Sequence, residues 1–150
     1  MGGAPAGGRR HARSRPGRRV ICADTSVVVR YLVGRPEAQA RRATAVIDGP
    51  EDVAVSLVSI VETAHVLRTE YGVARHDIVD TLLDLARRES VHILGMEHDD
   101  VVDAFVRARA MPGRPIPDAF IVIAARAANA LPLITFDRQM ARYGIPTREP

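Results

Sequence analysis

The sequence predicts an α/β domain built on a mostly parallel central sheet of four to five strands, with helices on both faces. Three observations predict it. Short apolar runs of strand length alternate with longer stretches of helical period. Such alternation is what consecutive strand–helix–strand crossovers produce, and crossovers lay helices on both sides of a parallel sheet. Glycine and proline punctuate the boundaries, at Gly34-Arg35-Pro36, Gly49-Pro50, Gly72 and Met111-Pro112-Gly113-Arg114-Pro115. A chain of 150 residues, 47% of them apolar, is one domain with a sizeable core.

The elements follow in order. Val20–Ala23 reads as a first, buried strand, with Cys22 as a small core residue. A helix over about 26–33 is stopped by Gly34-Arg35-Pro36, and a second spans about 37–47. Val53–Val55 is the second strand. Ser56 is a plausible N-cap for a helix over about 57–71, with Leu57, Ile60, Val61, Ala64, Leu67 and Tyr71 on one face. A fourth helix covers about 75–89, with Ile78, Leu82, Leu85 and Ala86 inward and Asp77, Asp80 and Asp84 as a solvated stripe. Val91–Leu94 is the third strand, and about 98–110 the fifth helix, whose early Asp99, Asp100 and Asp103 suit a helix N-terminus. The sixth helix, about 118–129, opens at Asp118. Leu133–Thr135 is the fourth strand, and a short helix runs from Asp137 to Arg142. Residues 144–150 hold at most a brief edge strand, because Pro146 cannot donate to a ladder.

Charge divides the chain. Residues 1–19 carry six arginines and no acid, with much Gly, Pro and Ala and no periodicity, and read as a disordered basic tail. Such a tail is either a bare extension (or a start assigned too far upstream) or a basic arm for nucleic acid. Residues 20–150, the folded domain, hold the remaining 15 basic and all 18 acidic residues and are mildly acidic. There is no lysine, which excludes P-loop and Schiff-base chemistry, and the single cysteine excludes an internal disulfide and a cysteine zinc site. Three Phe, three Tyr and no Trp leave little for base-stacking platforms. No apolar run reaches membrane-spanning length, so a cytoplasmic protein without a membrane partner is expected.

Four acids stand at element ends or on a helix face in apolar surroundings: Asp24, Glu62, Asp118 and Asp137. In a parallel α/β sheet, sites form beyond the carboxyl ends of strands, where Asp24 and Asp137 fall. Clustered anions repel unless a cation neutralises them, and hard divalent ions take oxygen donors. Taken singly, Asp24 and Asp137 read equally as helix caps and Asp118 as an acid favoured by a helix N-terminus. Glu62, among Val58, Val61 and Val66, would be costly to bury alone. His65, His76, His92 and His98 show no ligand spacing, and no Ser-His-Asp or Cys-His grouping is suggested.

The stretch Asp24-Thr25-Ser26-Val27-Val28-Val29-Arg30-Tyr31-Leu32 resembles the opening motif of PIN-domain ribonucleases. Ser59-Ile60-Val61-Glu62 looks like their second motif. The run from Pro117-Asp118-Ala119 to Ala127 looks like the third, and Leu133-Ile134-Thr135-Phe136-Asp137 the fourth. The motifs stand in the family's order over about residues 20–145, and Asp137-Arg138-Gln139-Met140 with the short length looks most like VapC toxins of VapBC toxin–antitoxin pairs. Ser26 departs from the more common Asn.

The resemblance implies a PIN-like three-layer α/β/α fold. It implies a Mg²⁺- or Mn²⁺-dependent endoribonuclease whose Asp24, Glu62, Asp118 and Asp137 serve as catalytic residues and metal ligands, Asp137 through water or at a second ion. Ser26 and Thr135 would orient waters, carboxylates or phosphate oxygens. It also implies an RNA substrate, a homodimer, and a small VapB-like antitoxin covering the site. Arg114, before Asp118, is the better candidate for an RNA phosphate; Arg30 either meets RNA or is solvated. A receiver-like signalling domain would need a lysine on its last strand, and a dehalogenase-type phosphatase a second Asp where Ser26 stands. The alternative that remains is a catalytically silent PIN-like module that binds RNA or protein.

Overall fold

The computed structural model describes residues 17–150. Five strands and six α-helices follow in the order β1 (Val20–Ala23), α1 (Thr25–Val33), α2 (Glu37–Ile47), β2 (Asp52–Ser56), α3 (Leu57–Thr69), α4 (Arg75–Ala86), β3 (Val91–Leu94), α5 (His98–Ala110), α6 (Ile116–Ala127) and β4 (Leu133–Ile134). A 3₁₀ helix, Arg138–Tyr143, precedes β5 (Thr147–Arg148). Among the described residues, no helix is long and apolar enough to cross a membrane. The expected basic tail lies outside the described residues as far as position 16. Arg18 and Arg19, which the expectation placed in that tail, contact the sheet: Arg18 ion-pairs with Asp52 at 3.0 Å, and the Arg19 carbonyl accepts the Asp52 amide at 3.0 Å.

β1, β2 and β3 form a parallel sheet in that order, with Val20 opposite Asp52 and Val53 opposite Val91. Asp52 to Val55 are all buried, so helices cover both faces of β2. The α/β class with parallel pairing is as expected, but the single sheet of four to five strands is not: β4 and β5 pair with each other as a separate parallel ribbon. The amides of Leu133 and Thr135 donate to Pro146 and Arg148, which commits one edge of β4 to β5. Along a strand, donors alternate between edges, so Ile134 alone is left to donate from the other edge of β4, and Pro132 before it has no N–H. One donor does not make a ladder.

The split places β1 at a sheet edge. β1 is therefore not the buried strand the apolar run suggested: Val20 is 43% exposed, and Cys22 is exposed rather than a core residue.

The core gathers where the helices meet the sheet. α4 buries Ile78, Val79, Leu82, Leu83, Leu85 and Ala86, including every residue expected inward. Phe105 of α5, fully buried, meets Phe120 of α6 edge to face at 5.0 Å between ring centroids, which fixes α6 and with it Asp118. α6 starts two residues before the expected position: Pro115 is its N-cap residue and Pro117 sits in its first turn, where a missing N–H is harmless. Asp118 thus lies within the first turn rather than opening it.

Candidate functional site

Asp24 follows β1 and caps α1. Its Oδ1 accepts the Val27 amide at 3.2 Å and the Ser26 hydroxyl at 2.7 Å. The hydroxyl foremost, and then the amide, hold its carboxyl below the usual carboxylate value. Ser26 thus orients the acid, one of the roles expected of it. Glu62 is on α3, which starts under a cap from Ser56, whose Oγ accepts the Ser59 amide at 3.0 Å. Glu62 is exposed, not buried among valines as its neighbours suggested, because the helix turns Ile60, Thr63, Ala64 and Leu67 inward and leaves Glu62 facing outward. The Thr25 hydroxyl donates to Glu62 Oε2 at 2.6 Å and so joins α1 to α3 at the two acids. The motif gives Thr25 no role of its own; its place directly after the first acid is the signal in the sequence for this contact.

Asp118 and Asp137 make the second group. One amino nitrogen of Arg114, Nη2, donates to Asp118 Oδ2 and to Asp137 Oδ2, each at 2.5 Å, and lies 3.4 Å from Met140 Sδ. The Arg114 side chain is 12% exposed and that of Asp118 17%, so this pairing is shielded from water; Asp137, at 46%, is its open side. Arg114 is therefore not a free cation for an RNA phosphate: its single positive charge is shared by two of the four acids. Asp137 also caps the 3₁₀ helix, with Oδ1 accepting the Gln139 amide at 2.8 Å, and its own amide donates to Thr135 Oγ1 at 3.0 Å. Arg114, then the Gln139 amide, depress the Asp137 carboxyl, and Asp137 foremost raises the guanidinium. Tyr143, buried beside them, has its phenol pushed up by burial and, secondarily, by Asp118.

The structure thus brings the four acids together as two pairs: Asp24 with Glu62 through Thr25, and Asp118 with Asp137 through Arg114. Among the described residues, no three His, Cys, Asp or Glu side chains are grouped closely enough to hold a metal ion. Of the four acids only Glu62 lines the apolar cavity beside α3, whose wall also includes Pro115, Ile116 and Pro117, the residues that lead to Asp118. Arg30, expected to meet RNA or solvent, instead donates to Gln39 and Tyr71, both at 2.7 Å, and ties α1 to α2 and to the end of α3.

A buried acid escaped the sequence reading altogether. Asp52, with no exposed surface at the start of β2, accepts from Arg18 and sits 3.2 Å from His92 Nε2. His92 and then Arg18 hold its carboxyl low. It lies at the opposite end of β2 from Ser56 and α3, and so belongs to the fold rather than to the site.

The family model described as PIN domain matches residues 21–146. The chain belongs to the PIN domain family. PIN domains are generally nucleases, hydrolases of phosphodiester bonds, and typically use divalent metal ions. The match runs from within β1 to the residue before β5 and takes in all four acids. No curated protein and no solved structure matches the chain.

Proposed function

We propose that this PIN domain is a Mg²⁺- or Mn²⁺-dependent endoribonuclease and the toxin of a VapBC-type pair. The observation that carries the nuclease reading is the family match, which takes in all four motif acids, two of them linked through Thr25 and two through Arg114. The donors there are carboxylate and hydroxyl oxygens, the hard set that Mg²⁺ and Mn²⁺ take, so the residues present fit the ion. Asp24, Glu62, Asp118 and Asp137 would hold it. When bound, such an ion lowers the pKa of water and neutralises charge on a scissile phosphate.

The chain's own residues prepare the acids. Ser26 and the Val27 amide fix the rotamer of Asp24, and Thr25 does so for Glu62. The Gln139 amide and Thr135 fix Asp137. Ser26 and the Val27 amide lower the Asp24 carboxyl below the usual carboxylate value, and Arg114 foremost, then the Gln139 amide, lowers that of Asp137, which favours the ionised state a ligand must have.

The toxin reading adds a homodimer and a VapB-like antitoxin that fills the cleft. It is supported by the Asp137-Arg138-Gln139-Met140 motif and by apolar side chains left in solvent beside the acids, Val58 at 76% and Phe136 at 80% exposed.

A second reading, a silent PIN module that binds RNA or protein, is favoured by one observation: Arg114 already ion-pairs with both Asp118 and Asp137. Purified protein separates the two. The enzyme cuts RNA with Mg²⁺ or Mn²⁺, stops in EDTA, and loses cleavage in Asp118→Ala. Folded wild type that cuts no RNA with either metal leaves the silent module. Expression in a bacterial host tests the toxin: wild type arrests growth, and Asp118→Ala and the co-expressed antitoxin relieve it. Harmless wild type that still cuts RNA keeps the nuclease and ends the toxin.

A further inference from the structure

A second cavity, of about 630 Å³, adjoins the acids and is lined by three arginines, Arg68, Arg75 and Arg114, and by no acid. That composition is at odds with the rest of the domain, which is mildly acidic. Arg114 is committed to Asp118 and Asp137. Arg68 and Arg75 make no ion pair with any acid among the described residues, although elsewhere Arg18, Arg88, Arg107 and Arg109 all do. They are near enough to repel: burial foremost, and the charge on Arg68 as well, pull the Arg75 guanidinium down. Two unpaired guanidiniums held side by side destabilise the free protein and favour an anion between them.

The position of Arg75 is built rather than accidental. Its Nε donates to the Arg114 carbonyl at 3.1 Å, which aims the guanidinium across the loop before α6, and its Nη2 is buried without a partner. The floor of the cavity is the N-terminus of α4. There Ala74 supplies no side-chain cap, so first-turn amides add to the positive field. Asp77, the acid of that turn, lines a different cavity with Leu32 and Tyr71.

We infer that the cavity between Arg68, Arg75 and the α4 N-terminus binds a backbone phosphate of the RNA strand. The inference rests on the nuclease reading for its substrate. The apolar cavity bearing Glu62 shares Arg68, Arg75 and Pro115 with this one, so the two form one continuous groove. Glu62 and Arg68 stand on the same helix, about 9 Å apart along its axis at the α-helical rise. A strand whose scissile phosphate lies at the acids has a neighbouring phosphate within reach of Arg68 and Arg75. The acids repel a polyanion, so strand affinity comes from this side of the groove. Guanidinium is the right donor, because it meets phosphate oxygens in pairs.

The test is the binding of an end-labelled single-stranded RNA in EDTA, followed by fluorescence anisotropy over a salt series. Exposed Arg68 is the position varied. Arg68→Gln should bind about tenfold more weakly. Its plot of log affinity against log salt should be shallower by about 0.7 for the lost contact. Arg68→Lys should keep most of the slope. Arg68→Gln that matches wild type in affinity and slope overturns the site. Free phosphate is the control ligand: saturable thermal stabilisation by inorganic phosphate that vanishes in Arg68→Gln, with RNA affinity unchanged, overturns the strand and leaves a small-anion site. Binding lost in Arg68→Gln by a protein that cuts no RNA with metal keeps this site and ends the nuclease reading. Metal-dependent cleavage with binding indifferent to Arg68 does the reverse.

Discussion

Asp24 does two jobs with one carboxylate, and substitution can separate them. It caps α1 through the Val27 amide, and it stands as a ligand and catalytic candidate beside Glu62. Asp24→Ala removes the cap acceptor and should cost about 1 kcal/mol, within the usual range for N-cap residues. For a domain of this size that is a fall of about 3 °C in Tm. Asp24→Asn keeps an oxygen that can accept from Val27, and Asn caps as well as Asp, so its stability in EDTA should stay within a few tenths of a kcal/mol of wild type. Both variants remove the charge a metal needs, and both should lose RNA cleavage by at least about 100-fold. The assay pairs a thermal melt in EDTA with cleavage of a fluorogenic RNA under Mn²⁺. Asp24→Asn that cuts at the wild-type rate would reduce Asp24 to a cap, and the chemistry would have to lie elsewhere. Asp24→Asn that melts as low as Asp24→Ala would show that charge, not the hydrogen bond, makes the cap.

Two further outcomes follow from the electrostatics. Asp24, Asp52 and Asp137 all have folded-state pKa values below the usual carboxylate value, so their contributions are present above the unfolded value and lost as pH falls through the folded ones. The urea midpoint should therefore hold from neutrality to about pH 5 and drop below about pH 4, with a smaller drop in Asp52→Asn; a steeper acid limb in that variant would refute the assignment. Arg114→Gln should raise Mn²⁺ affinity, measured calorimetrically, because a cation reaching Asp118 or Asp137 no longer meets a guanidinium; unchanged affinity would put the ion on Asp24 and Glu62 alone.

What the sequence revealed and what it hid divide along range of interaction. α2, β3 and α5 run over the residues that period and punctuation predicted, because Gly, Pro and apolar spacing act within a few positions. The cap by Ser56 was legible for the same reason. α6 was placed two residues late because Pro115 and Pro117 read as loop, whereas Pro is at home in a first helical turn. The apolar run of β1 announced a strand but not its place at the edge, which depends on β4 turning to β5. The same holds for the site. The four acids could be named from their motifs, but Arg114 meets Asp137 across 23 positions, and Asp52 meets Arg18 across 34 and His92 across 40. No local pattern carries those pairings.

The way the acids are neutralised bears on how the site can work. The protein answers its two pairs of carboxylates differently: hydroxyl donors for Asp24 and Glu62, a guanidinium for Asp118 and Asp137. Hydrogen bonds from Ser26 and Thr25 leave the negative charge of their acids in place, exposed and ready for a cation. Arg114 offsets one of the two negative charges on the other pair and is shielded from water while doing so. On the metal-dependent reading proposed above, a divalent ion would be drawn to the Asp24 and Glu62 side, and its approach to Asp118 would work against a like charge. Arg114 is also the residue whose carbonyl Arg75 holds, so a shift of its loop on ion entry would move the wall of the arginine-lined cavity as well. Metal and strand would then act on the same short segment, Arg114 to Asp118, from opposite sides.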